Sequence, residues 1–271
     1  MISLLIRTTL VAFSVSISFA YTVRTANAAQ VFFGEDINTT ATGDYENASR
    51  ILSPNADQAK FMFLSKLQNV KTETFESFTP NSSISQLNFG FNTAYLSSSL
   101  TVLSIPTGNA NGVYPTSGNQ TLLQTIGDTN NAFSVIFNTQ QVAFGFSATD
   151  IEIPGNLNLR FLLADGISTI DRLVPTQAGM NGTNNTGSVV YYGVIDPENP
   201  FIQVSFIRSL IPYDGFGFDD MTIGEMENVI SVPEPTNLMG ITFVASLLLG
   251  CFGRSERFKF GLKWLKKRLN G

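Results

Sequence analysis

Phe201-Ile202-Gln203-Val204-Ser205-Phe206-Ile207 is the stretch on which the fold turns. Ile202, Val204 and Phe206 alternate with Gln203 and Ser205, and a period of two marks a strand with one face in a core. Phe201 and Ile207 bracket the polar pair on its own face. Ala132-Phe133-Ser134-Val135-Ile136-Phe137 reads the same way, with Phe133, Val135 and Phe137 on one face and Ser134 opposite. Outward from these two lie seven more short apolar runs, at 71–78, 87–91, 94–102, 142–148, 157–163, 189–194 and 216–223. Clusters of Gly, Asn, Ser and Thr separate them, which is the punctuation of an all-β chain. Nine runs with hairpin-like spacing predict a jelly-roll-like two-sheet β-sandwich.

One N-terminal helix interrupts the pattern. Ser53 is placed to cap it, Pro54 suits the first helical position, and Ala59, Phe61, Met62, Phe63, Leu64 and Leu67 supply apolar bulk. It is expected to cover an open end or edge of the sandwich. Three long loops, 106–118, 127–131 and 175–187, are rich in Gly or Asn. On a sandwich rim such loops are either ligand sites or solvated connections.

The two ends of the chain are of another kind. Residues 1–7 form a short positive region, 8–20 an apolar one, and Ala26-Asn27-Ala28 a small-residue cleavage site. Residues 1–28 therefore read as a cleavable signal peptide cut after Ala28, with Ala20 as the alternative. At the far end 236–253 carry no charge, and a helix of that length spans roughly 27 Å, enough for a thin bilayer. Arg254, Arg257, Lys259, Lys263, Lys266, Lys267 and Arg268 follow against Glu256, a tail of +6. That cationic block favours a transmembrane helix over the alternative of a buried core helix, and holds the tail on the cytoplasmic side. Phe258, Leu262, Leu265 and Leu269 allow the tail to lie as an amphipathic helix on an anionic leaflet; an unstructured cationic tail is the other reading.

Residues 29–231 remain as an exported domain. Without Arg7, Arg24, the tail cations, Glu234 and Glu256, it holds seven basic and nineteen acidic residues, a net charge of −12. No basic patch exists for phosphates, so nucleic acid is excluded as a partner. The chain has no histidine, and its one cysteine, Cys251, lies in the apolar run. Ser-His-Asp and Cys-His catalysis and His-ligated zinc or copper are thereby excluded. Carboxylate chemistry and oxygen-ligand metals remain.

Val232-Pro233-Glu234-Pro235, the apolar run and the basic tail together resemble the PEP-CTERM sorting signal of exopolysaccharide-producing Gram-negative bacteria. The resemblance implies that residues 232–271 are read by an exosortase, a membrane thiol protease, which cuts near Pro233, Glu234 and Pro235. With signal peptidase acting at Ala28, the protein passes from transient membrane anchoring to the cell surface or extracellular matrix. The tail runs further past its first basic cluster than the family pattern does. Val31-Phe32-Phe33-Gly34-Glu35-Asp36-Ile37-Asn38, Glu73-Thr74-Phe75-Glu76-Ser77-Phe78, Val142-Ala143-Phe144-Gly145-Phe146 and Asp214-Gly215-Phe216-Gly217-Phe218-Asp219-Asp220-Met221-Thr222-Ile223 resemble recurring blocks of exported domains in that family. They bring no known reaction with them.

Jelly-roll carbohydrate-binding modules often share a structural calcium between an early strand and the last one. By that resemblance Glu76, Asp219 and Asp220 are a candidate calcium (Ca2+) site; the alternative is that the Asp pair shapes a bend and faces water. Trp264, the only tryptophan, lies in the tail, leaving Tyr114, Tyr191, Tyr192 and Tyr213 as candidates to stack on sugar. No pair of acids stands out as a glycosidase set. The reading is an exported, non-catalytic domain associated with exopolysaccharide, or alternatively a carboxylate-dependent glycan hydrolase.

Overall fold

A computed structural model describes residues 28–40, 49–124, 133–151, 153–180, 185–208 and 215–230. Most of the expected signal peptide, Tyr213, and the whole of 232–271 with Pro233, Glu234, Pro235 and the apolar run lie outside the described residues. Ala28 is the first described residue and is exposed. No helix among the described residues is long and apolar enough to cross a membrane.

The strands are β1 (Gln30–Asp36), β2 (Thr72–Glu73), β3 (Ser83–Phe89), β4 (Asn92–Ser104), β5 (Gln120–Gln124), β6 (Phe133–Gln141), β7 (Ala143–Thr149), β8 (Leu157–Leu163), β9 (Thr169–Leu173), β10 (Val189–Ile195), β11 (Phe201–Arg208) and β12 (Phe216–Gly224). Helix α1 (Pro54–Leu64) lies between β1 and β2, and a 3₁₀ turn (Met226–Asn228) follows β12. The strands pair antiparallel in the order β1-β10-β7-β12-β5-β4-β6-β11-β8-β9, with β2 added to β12 and β3 to β4.

The long strand β4 makes this one sheet curl into two layers. Its first part, Ala94 to Leu96, pairs with β6, and its last part, Thr101 to Ser104, pairs with β5. Ser97, Ser98 and Ser99 fall at the corner and are exposed. The two halves then face each other across a phenylalanine core. Phe206 of β11 stacks on Phe133 of β6 at 4.4 Å and meets Phe218 of β12 edge-on at 4.9 Å and Phe146 of β7 at 5.1 Å. Edge-to-face rings suit the quadrupoles and add to the area they bury.

Alternation in β11 breaks where the sequence suggested it would continue. Pairing with β6 and β8 shifts register between Phe201 and Gln203. Phe201 is thereby turned into the core with Val204 and Phe206, instead of sharing a face with Gln203. A β-bulge reverses the parity of everything on one side of it.

Three strands lie where none was expected. β1 falls in a stretch recognised only as a motif, β5 lacks alternation, and β9 is a charged edge strand. The run at 71–78 shrinks to β2, because Phe75 adopts φ 62° and Phe78 N–H closes a turn onto Phe75 C=O. Glu73 stabilises that turn, its carboxylate accepting from the backbone N–H groups of Phe75 and Asn88.

Helix α1 lies flat on the outer face of β1, β10 and β7, not across an open end. Ala56, Ala59 and Phe63 form its buried stripe. Ser53 makes no side-chain capping bond to the backbone. Asp36, at the end of β1, does that work: its carboxylate accepts from Asn55 N–H at 3.0 Å and Ala56 N–H at 2.9 Å. An anion at a helix N-terminus also complements the helix dipole. The sheet makes room with glycine. Gly193 and Gly145 are register partners, and a Cβ on Gly193 would stand 2.7 Å from the Phe63 ring.

Candidate functional site

The acids singled out in the sequence converge on one segment, 116–120. Asp219 Oδ2 accepts from the backbone N–H groups of Thr116 and Ser117, each at 2.9 Å. Asp220 accepts from Thr116 Oγ1 at 2.9 Å and Ser117 Oγ at 2.8 Å. Glu76 accepts from the N–H groups of Asn119 and Gln120 at 2.8 and 2.7 Å. Between them the three carboxylates hold four of the five residues of this segment.

A charge is already present for Asp220. Lys60 of α1 places its Nζ 2.8 Å from Asp220 Oδ2. Asp220 sits at φ 51° in a register shift of β12, which turns adjacent Asp219 and Asp220 toward the same segment. Burial first, and the neighbouring Asp220 carboxylate second, push the Asp219 carboxyl well above its ordinary range. The Tyr191 hydroxyl is also buried here, with no hydrogen-bond partner among the described residues.

This arrangement does not fit a calcium ion. Calcium takes six to eight oxygens, whereas these oxygens are spent on N–H and O–H donors and on an ammonium. Among the described residues no group of three or more His, Cys, Asp or Glu is placed to hold a metal. The cluster acts as a clasp, tying β12, α1 and the 106–118 loop together.

The tyrosines expected to stack on sugar are not on the surface. Tyr114 is 3% exposed; its hydroxyl donates to Gly187 C=O at 2.8 Å and accepts from Ile51 N–H. Tyr191 and Tyr192 are buried as well, and Tyr213 lies outside the described residues. The 106–118 loop accordingly packs down: Val113 would be 2.7 Å from a Cβ on Gly217.

The surface open to a partner is the outer face of the other half-sheet. No helix covers it among the described residues. Register places Gln86, Tyr95, Ile136 and Gln203 in one row across β3, β4, β6 and β11. Tyr95 is 46% exposed and Ile136 38%. Beside this row Ser134 and Ser205 share a hydrogen bond of 2.8 Å, Ser134 N–H donates to Ser97 Oγ, and Gln203 Nε2 donates to Ser205 Oγ. In register with Ser134 and Ser205, Arg160 of β8 grips Asp171 of β9 with two bonds of 2.7 Å at the edge of the sheet. Ser134 and Ser205 are buried under the row, so what the face presents is an aromatic ring flanked by the amides of Gln86 and Gln203 and the exposed Ser97, a composition for holding hydroxyl-bearing ligands weakly. Tyr95 was not among the tyrosines expected to bind; the signal for it was that Ala94 and Leu96 flank it in an alternating run, and what the sequence did not show is that Tyr114, Tyr191 and Tyr192 are buried.

No protein-family model matches the chain, and no curated protein matches it. Among solved structures it is similar to the K2 cleaved adhesin domain of Lys-gingipain, at 13% identity and a TM-score of 0.35 over 57% of this chain and 97% of that one. It is also similar to the C-terminal family 22 carbohydrate-binding module of Clostridium thermocellum Xyn10B, at 13% identity and a TM-score of 0.32 over 59% of this chain and 95% of that one. A xylan-binding domain of family 22 gives the same identity and TM-score over 59% of this chain and 96% of its own. Likenesses at this level carry no argument about what this chain binds.

Proposed function

We propose that residues 29–231 form an exported, non-catalytic domain that holds hydroxyl-rich polymers, such as the producer's own exopolysaccharide, on the face centred on Tyr95. The curled sheet is read further as a jelly-roll-type sandwich. The observation that carries the proposal is that face: a half-exposed tyrosine in one row with the amides of Gln86 and Gln203, unscreened by any described helix. The net charge of −12 supports neutral or cationic polymers over anionic ones. Export by a signal peptide ending at Ala28, a membrane helix at 236–253 and exosortase-type processing near Pro233 to Pro235 belong to the same proposal, supported by the sequence pattern of both ends.

Two measurements test it. The full-length chain in detergent micelles should be retained by purified matrix polysaccharide, and Tyr95→Ala should abolish retention. Hydrolysis of glycosides that disappears when one domain carboxylate is neutralised would overturn the non-catalytic reading. For sorting, intact mass of the surface form from its native host should end near Pro233 to Pro235, and recovery of the full-length chain alone would refute processing.

A further inference from the structure

At one end the uncovered face runs into an open groove of ≈ 600 Å³, lined among others by Asn138, Gln140, Ile202, Glu225, Met226 and Glu227. Its walls come from three parts of the chain. The register shift between Phe201 and Gln203 leaves Ile202 without a partner on β6. The tight connection from β6 to β7 brings Asn138 and Gln140, and the 3₁₀ turn brings the two glutamates. Glu225 is fixed in place: Oε1 accepts from Thr139 Oγ1 at 2.6 Å and from Asn92 Nδ2 at 3.0 Å. Glu227 is exposed and belongs to no ion pair among the described residues. Among the described residues no lysine or arginine lines the groove.

We propose that this groove is the specificity subsite of the polymer-binding face and takes an amino sugar with its amine free and protonated. The inference rests on the reading above and names which polymer that face prefers. The volume lies within the range of small-molecule sites. Ile202 and half-exposed Met226 offer an apolar wall to the C–H face of a sugar ring, while the amides of Asn138 and Gln140 reach for hydroxyls. An ammonium group donates charge-assisted bonds to the glutamates, which are about twice as strong as neutral ones. An N-acetyl group loses that bond. A uronate brings a like charge to a wall with no cation to receive it.

The test is titration of the full-length chain, in detergent micelles, with matched oligomers of glucosamine, N-acetylglucosamine and a uronic acid. Glucosamine oligomers should bind about tenfold more tightly than N-acetylated ones, the preference falling with salt. Glu227→Gln should remove the preference and leave the weaker, shared affinity. Tyr95→Ala should weaken all series alike. Equal affinity for all three series, still dependent on Tyr95, overturns the groove's role and leaves the face standing; so does an amine preference that survives Glu227→Gln. Absence of binding by every series, or indifference to Tyr95→Ala, overturns the polymer-binding face and the subsite with it.

Discussion

On one side of the molecule β7, β10 and β12 are buried at every residue, on both faces. On the other side β6 and β8 mix buried residues with exposed or half-exposed ones, and the edge strand β9 has none buried. Both halves share the same phenylalanine core, so the difference lies wholly outside it. α1, the 106–118 loop and the carboxylate clasp cover the first half, and no helix among the described residues covers the second. The composition of the outward positions follows from this. Under the helix they are Gly34, Gly145, Gly193 and Tyr191; on the open side they are Gln86, Tyr95, Ser97, Ile136 and Gln203. Glycines inside a strand cost conformational entropy and are kept where another backbone or ring must come close. Hydroxyls and amides in the same kind of position indicate a face left to solvent or a ligand.

The contrast is broken most severely at Phe63. Its ring is fully buried, 5.7 Å from Phe32 and 5.9 Å from Tyr191, and it rests on Gly145 and Gly193. Phe63→Ala should cost about 3–5 kcal/mol, measured by denaturant titration followed by far-UV circular dichroism. A loss below about 1 kcal/mol would mean that α1 contributes little and that the first half is not covered in any energetic sense.

Gly34→Ala probes the same contact from the sheet side. The added Cβ falls on the Asn55 carbonyl, and backbone cannot swing aside as a side chain can. The expected cost is about 1–3 kcal/mol. An unchanged unfolding midpoint would show that helix and sheet slide apart freely.

The clasp gives the covered half a pH signature. Because burial raises the Asp219 pKa, the folded state holds that proton more tightly than the unfolded chain does. The group's stabilisation is therefore complete below its ordinary value of 3.8 and is lost as pH rises through the folded value. Melting temperature should fall as pH is raised from the ordinary carboxyl range through the folded value, with a flatter slope in Asp219→Asn, whatever that variant's absolute stability. A slope identical in the two proteins would refute the assignment. Excess calcium and a chelator should give the same melting curve for both.

Residue patterns exposed the layers of this fold better than its coverings. Alternation in β6 and exact apolar limits in β8 were legible because each such strand has one face in the core. Phe201 was misplaced because a bulge leaves no trace in a single strand's composition. Ser53, placed by the sequence to cap α1, does not, and Asp36 at the end of β1 does, because capping across elements depends on which strand the helix lands on. Tyr114 looked like a rim tyrosine because loop residues resemble one another whether a loop stands up or folds down. The glycine triad under α1 was the signal available for that covering, once read as a requirement for close approach and not as weak strand propensity.

The smallest expected effect on stability belongs to the open side. Tyr95 is 46% exposed, pairs across strands with Gln86 and Ile136, and fills no core space. Tyr95→Ala removes cross-strand contact worth a few tenths of a kcal/mol, and surface changes of this type stay within about 0.5 kcal/mol. The unfolding midpoint should hardly move while polymer retention is lost. That pairing of outcomes separates a residue kept for recognition from one kept for folding. If Tyr95→Ala instead destabilised the domain as Phe63→Ala does, the open face would be a packing surface awaiting its own covering, and the division of the molecule into a sealed half and a binding half would fail.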